Sequence, residues 1–111
     1  MVVFDEEKQI IQNKIIEKGY ESLRASVFNS KDINRQEWQT RIEYCLEKKR
    51  YVVYSLADRA SLMGKVSEFE DFNSAKDAFF KKLDLTVKYN SLRVENNELP
   101  EYQSPIWNEK I

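Results

Sequence analysis

Histidine is absent and cysteine occurs once, at Cys45, so the side chains left for chemistry are carboxylates, arginines, lysines and tyrosines. Without imidazole the commonest general base and metal ligand is missing, and every triad that needs histidine is excluded. A zinc site would have to be built almost wholly from carboxylates, which is unusual. The two glycines, Gly19 and Gly64, cannot form a phosphate-cradling loop. Cys45 has no sequence-local base or helix N-terminus to lower its pKa, so it reads as a small strand residue. Carboxylates are plentiful, and a pair suited to acid–base or metal-dependent phosphodiester chemistry could arise by chance; a carboxylate-dependent hydrolase is the one enzymatic reading left. No spacing supports it, and the expectation is a protein without catalytic residues or cofactor.

Binding is the alternative to catalysis. Basic and acidic residues nearly cancel, 18 against 19, so no global field draws the chain to nucleic acid or anionic lipid. Lys48-Lys49-Arg50 beside Tyr51 has the make-up of a small phosphate-binding tip, but it also reads as a solvated turn. Acidic residues at Asp5-Glu6-Glu7 and at Glu68, Glu70 and Asp71 would oppose a phosphate backbone. The expected partner is therefore a protein, with no nucleic acid, membrane or small-molecule substrate. No apolar run approaches the roughly 20 residues of a membrane span. The opening Met-Val-Val-Phe-Asp-Glu-Glu lacks the marks of a secretory leader, and one cysteine fits a reducing compartment, so the expected location is cytoplasmic.

The elements that must position a binding surface can be read from periodicity. With 111 residues, 41% of them apolar, the chain suits a single domain with one core, and six Phe, six Tyr and two Trp argue against disorder. Asp5-Glu6-Glu7 opens a first helix on which Phe4, Ile11 and Ile15 share a face, and Gly19 ends it. Leu23, Ala25 and Val27 alternate with polar residues as in a half-buried strand. After a polar connection, Trp38, Thr40, Ile42, Tyr44 and Leu46 point one way, and Gln39, Arg41, Glu43 and Cys45 the other. Tyr51-Val52-Val53-Tyr54 forms the next strand, with residues 47–50 as the hairpin loop. That loop sets Leu46 opposite Tyr51, Tyr44 opposite Val53 and Glu43 opposite Tyr54.

A weaker, charged edge strand is expected over residues 65–69. A long helix over residues 74–94, capped by Asn73 or Ser74, follows with Ala75, Phe79, Leu83 and Val87 as its stripe. Leu85, Tyr89 and Leu92 widen that stripe, and Asp77–Lys81 and Asp84–Lys88 form solvated pairs on the other face. Both prolines fall in the tail, which is expected to be extended and packed on the domain. The fold class expected is α+β: an antiparallel meander of four strands flanked by an N-terminal and a long C-terminal helix, in the order α-β-β-β-β-α.

This architecture divides the hairpin into two sides. Ile42, Tyr44, Leu46, Tyr51 and Val53 face the core. Arg41, Glu43, Tyr54 and Leu56 face away, and together with Asp58 and Arg59 in the following loop they are the candidate partner-binding residues. Exposed Tyr and Arg among apolar groups resemble a protein-binding hot spot. The competing expectation is that the tail, anchored by Trp107, covers this side.

Several blocks of the sequence are also familiar. Gly19-Tyr20-Glu21-Ser22-Leu23-Arg24, the run Glu37-Trp38-Gln39-Thr40-Arg41-Ile42-Glu43-Tyr44, then Tyr54, Asp58-Arg59-Ala60-Ser61 with Gly64, and Pro100-Glu101-Tyr102-Gln103-Ser104-Pro105-Ile106-Trp107 resemble the immunity protein 59 family of bacterial polymorphic toxin systems. The resemblance implies a cytoplasmic α+β protein that binds a cognate toxin domain, blocks it stoichiometrically and protects the producing cell. It supplies no partner-contacting residues by motif. The rival from another class is a small phage or housekeeping subunit that self-associates through the same patch.

Overall fold

The computed structural model describes residues 4–29, 35–57, 59 and 62–108. Helix α1 spans Asp5–Glu17, and strands β1 to β4 span Ala25–Val27, Thr40–Cys45, Arg50–Leu56 and Leu62–Phe69. Helix α2 covers Phe72–Glu95, and the single-turn helix α3 covers Pro105–Asn108. The strands lie side by side in chain order, and α2 packs across β2, β3 and β4. This is the expected α+β arrangement with an N-terminal and a long C-terminal helix.

The sheet is mixed and not a pure meander. β2, β3 and β4 are antiparallel, but β1 pairs parallel to β2, with Ala25, Ser26 and Val27 opposite Thr40, Arg41 and Ile42. The reason lies in the connection. Residues 28–39 are long enough for the chain to return to the starting end of β1, as parallel pairing requires and a tight hairpin would forbid. Left-handed residues bound both strands: Phe28, with φ 53°, ends β1, and Trp38, with φ 63°, precedes β2. Trp38 therefore sits outside the strand in which its alternation had placed it.

The hairpin register differs from expectation by two residues. Tyr44 faces Tyr51, Ile42 faces Val53, and Arg41 faces Tyr54, around a turn at 46–49 in which Lys49 is left-handed at φ 54°. A two-residue shift preserves the side of the sheet to which every residue points, so Ile42 and Val53 still enter the core. Leu46 does not, because the turn takes it out of the strand and leaves it 66% exposed.

On the covered side, Ile42, Tyr51 and Val53 meet Ile11 of α1 and Ala75, Phe79, Phe80 and Leu83 of α2. α1 stops as the sequence suggests: Gly19 is left-handed at φ 71°, and Tyr20 N–H reaches back to the Ile15 carbonyl at 2.9 Å. The cap of α2 is Asp71, not Asn73 or Ser74; its carboxylate accepts the Ser74 N–H at 2.8 Å. Asp84 does not pair with Lys88 as helix spacing suggested. It turns to α1, accepting from Tyr20 Oη at 2.6 Å and pairing with Lys18 at 3.3 Å. Asp77–Lys81 is likewise not among the ion pairs of the described residues.

The tail packs on the α2 side. Buried Asn90 accepts from the Glu101 N–H at 2.7 Å and donates to its carboxylate at 3.0 Å. Tyr102 Oη accepts the Arg24 N–H at 3.1 Å, and Trp107 Nε1 donates to the Tyr102 carbonyl at 2.9 Å. Pro105 starts α3, where its fixed φ and missing N–H suit the first helical position. Trp107 and Tyr102 thus belong to the core cluster with Ile42 and Val53, and Tyr54 and Leu56 are outside it. Among the described residues, the tail is tied through Tyr102 and Trp107 to the covered side of the sheet and not to the far side.

Candidate functional site

The far side of the hairpin was expected to be an open patch, and the structure corrects that. Arg41 and Leu56 are fully buried, and Tyr54 is nearly so. A charged guanidinium can be buried only where its donors are satisfied. Here alternation along β2 sets Gln39, Arg41 and Glu43 on one side of the strand, and pairing with β3 places Tyr54 opposite Arg41. Arg41 Nε and Nη2 both donate to Glu43 Oε2, at 3.2 and 2.9 Å, and Nη1 donates to Gln39 Oε1 at 2.7 Å. The second carboxylate oxygen, Glu43 Oε1, accepts from Tyr54 Oη at 2.7 Å. Four side chains are therefore locked into one network, and the Glu43 side chain keeps 12% of its surface open.

This environment moves the tyrosine. Burial pushes the Tyr54 phenol from 10.0 up to about 12, helped by its hydrogen bond to Glu43 and that carboxylate's charge; Arg41 acts in the opposite direction. Tyr20 is also raised to about 12, by burial and then by Asp84. The sign follows from linkage: a phenol raised on folding contributes stability that is complete below the unfolded pKa and is lost as pH rises through the folded one. The protein is expected to lose stability from about pH 10 to about pH 12. An absorbance titration should show late phenolates near pH 12 from Tyr20 and Tyr54, of which Tyr54→Phe removes one and leaves the other; ionisation of Tyr54 at an ordinary pH would contradict the buried network.

Next to Glu43 the same side of the sheet opens into a groove of about 1020 Å³. Val52, Tyr54, Leu62 and Val66 line it, with Cys45, Glu68 and Arg35 among its other walls. Leu62 is 50% and Val66 40% exposed. β4 is irregular here: Val53 pairs with Ser67 but Ser55 with Met63, so three β4 residues stand opposite Tyr54. Such a bulge bends a strand and re-aims its side chains. The groove brings Glu43 and Tyr54 together. Arg41 and Leu56 are outside its lining, and Arg59 is not part of it.

Arg59 sits in the loop after β3, exposed and left-handed at φ 60°, with its N–H on the Glu37 carboxylate at 3.3 Å. Asp58 lies outside the described residues. Sequence reasoning missed Leu62, since it began the strand at residue 65, missed Val66 because it read that strand only as a charged edge, and missed Gln39 as a partner for Arg41. The i, i+2 spacing of Gln39, Arg41 and Glu43 was the available signal.

The hairpin tip is not a free basic cluster. Lys48 pairs with Glu68 at 3.0 Å and Arg50 with Glu70 at 3.2 Å. Among the described residues no group of three or more Cys, Asp or Glu side chains is placed to hold a metal ion, and no helix is long and apolar enough to cross a membrane.

The structure defines a small α+β protein whose sheet carries a groove beside a buried polar network. The family model for immunity protein 59 matches residues 4–108, and the chain belongs to that family. No curated protein and no solved structure matches it. It is an immunity protein, and the family implies a toxin protein as its partner in general.

Proposed function

We propose that this immunity protein neutralises a cognate toxin domain in the bacterial cytoplasm by binding it stoichiometrically, without catalysis or cofactor, and that the groove beside Glu43 receives the toxin. The observation that carries this reading is the juxtaposition of half-exposed Leu62 and Val66 with a carboxylate fixed by Arg41 and Tyr54. Apolar side chains around a preorganised polar group give affinity together with orientation, and a side chain already locked loses little further freedom on binding. Of the six candidate residues, Glu43 and Arg59 would touch the toxin directly. Arg41, Tyr54 and Leu56 would act from beneath by holding that surface in shape. Self-association through Tyr54 and Leu56 loses its basis, since both are buried within the chain.

The test is co-expression with the toxin domain encoded immediately upstream, together with pull-down of the purified pair. Wild type is expected to protect and to form a stable complex. Leu62→Asp/Val66→Asp should weaken the complex by about 2 kcal/mol or more, roughly 30-fold, and abolish protection while leaving the unfolding transition in place. If wild type neither binds nor protects, the function is wrong. If the double variant protects as well as wild type, only the groove assignment falls.

A further inference from the structure

β4 is an outer strand of the sheet, and the pairing pattern shows which of its backbone groups are unspent. Phe28 N–H donates to the Ile42 carbonyl at 2.9 Å and Thr40 N–H to the Arg24 carbonyl at 3.0 Å, so these residues of β2 turn their backbone to β1. Arg41 and Glu43 therefore turn theirs to β3, as does Gln39, whose carbonyl accepts the Leu56 N–H at 2.7 Å. Backbone groups alternate along β3 as well, so Tyr51, Val53 and Ser55 face β4, where their partners are Phe69, Ser67 and Met63. Leu62, Val66 and Glu68 have the other parity, and their N–H and C=O groups point out of the sheet. Among the described residues no strand and no other backbone group pairs with that edge. The opposite edge offers no such template: β1 is three residues long, stops at left-handed Phe28, and has Ser26 and Val27 buried.

Side-chain direction and backbone direction both alternate with a period of two along a strand. The residues that present free backbone groups are thus the same β4 residues whose side chains line the groove beside Glu43, namely Leu62, Val66 and Glu68. A chain that fills the groove from this end lies along the open edge. Strand addition draws affinity from main-chain bonds and specificity from alternate side chains set in pockets, and here the same residues supply both. The groove's carboxylates are already answered, Glu43 by Arg41 and Glu68 by Lys48, so the incoming segment needs apolar side chains and not charge. The bulge opposite Tyr54 and exposed Lys65 restrict indiscriminate pairing of so long an edge.

We propose that the toxin domain adds a strand to the open edge of β4, with apolar side chains at alternate positions laid over Val52, Leu62 and Val66. The proposal rests on the assignment of this groove to the toxin and specifies how the toxin is held. Glu43 lies two strands in from the edge, so it meets toxin residues beyond the added strand.

Amide hydrogen exchange followed by NMR, on the protein alone and bound to the toxin domain encoded immediately upstream, tests this. In the free protein the Val66 and Glu68 amides are expected to exchange fast and those of Ser67 and Phe69 slowly. In the complex Val66 and Glu68 should slow by about 100-fold or more. Val66→Pro deletes an outward N–H that the isolated edge strand does not need, and should weaken toxin binding about tenfold more than Val66→Ala. The exchange measurement uses the wild-type chain and decides the matter even if proline at position 66 prevents folding. A complex in which the Val66 and Glu68 amides exchange as fast as in the free protein overturns strand addition; the groove assignment survives if Leu62→Asp/Val66→Asp still abolishes binding. Equal affinities of folded Val66→Pro and Val66→Ala overturn it as well. Slowing of the same amides in the purified protein as its concentration rises would give the edge to a second copy and overturn it equally. If wild type does not bind the toxin, the proposed function falls and this inference with it.

Discussion

Replacing Arg41 by alanine is expected to destabilise the protein by about 3–5 kcal/mol, out of a total that for a domain of this size is about 5–15 kcal/mol. The side chain is fully buried and makes charge-assisted bonds to Glu43 and a hydrogen bond to Gln39. Its removal leaves the Glu43 carboxylate with Tyr54 as its one remaining partner in this network and takes the Arg41 bond away from Gln39 Oε1. An uncompensated carboxylate in a poorly solvated site is the costly product, more than the lost contacts themselves. The whole network has a different expected value from the single deletion. Changing Arg41 to Met together with Glu43 to Leu and Tyr54 to Phe removes every charge at once and should recover most of the loss. Urea unfolding of the single and triple variants separates the two cases. If Arg41→Ala cost less than about 1 kcal/mol, the guanidinium could not be as deeply enclosed as the geometry has it. Recovery of stability in the triple variant would not bring back protection, because the fixed carboxylate beside the groove is gone.

The burial of Arg41 also shows where sequence reading stops. Period-two alternation assigned each residue of β2 and β3 to a side correctly, because the side depends only on parity, and a register error of two residues leaves parity intact. Whether a side is open to water depends on neighbours that alternation does not reveal. Arg41 was read as exposed because the helices were placed on the other side of the sheet, with the tail as the one alternative cover. Its burial requires Gln39 and Glu43 from its own strand and Tyr54 from across the pair, and the expected register had put Tyr54 opposite Glu43. Gly19 was legible because a left-handed helix stop has one favoured residue. The direction of β1 was not, since three residues alternate alike in either orientation, and the length of 28–39 was the only hint of a crossover. Leu85, Tyr89 and Leu92 were legible as an apolar face, but their exposure was not, because helix periodicity does not distinguish a face turned to the core from one turned to solvent.

The tail yields the second large effect. Trp107→Ala is expected to cost about 3–5 kcal/mol, the range for removing a large aromatic side chain from a packed core. Trp107 is fully buried, packs edge-on against Tyr102 at 5.2 Å, and donates its indole N–H to the Tyr102 carbonyl. Tyr102 in turn accepts the Arg24 N–H just ahead of β1 and stacks under the Arg24 guanidinium at 4.6 Å. Loss of Trp107 therefore loosens a chain of contacts running from α3 to the edge of the sheet, and truncation before Pro105 should have the same effect. Denaturant unfolding of the Trp107→Ala variant is the measurement, with a loss under about 1 kcal/mol counting against this account. Its consequence for protection is indirect. Trp107 is not among the residues lining the groove beside Glu43, so protection should fall only as the folded fraction falls, and lowering the temperature should restore it. Leu62→Asp/Val66→Asp should behave oppositely, folded at every working temperature and unprotective at all of them. The contrast between these two variants separates a protein that fails to fold from one that folds and fails to bind.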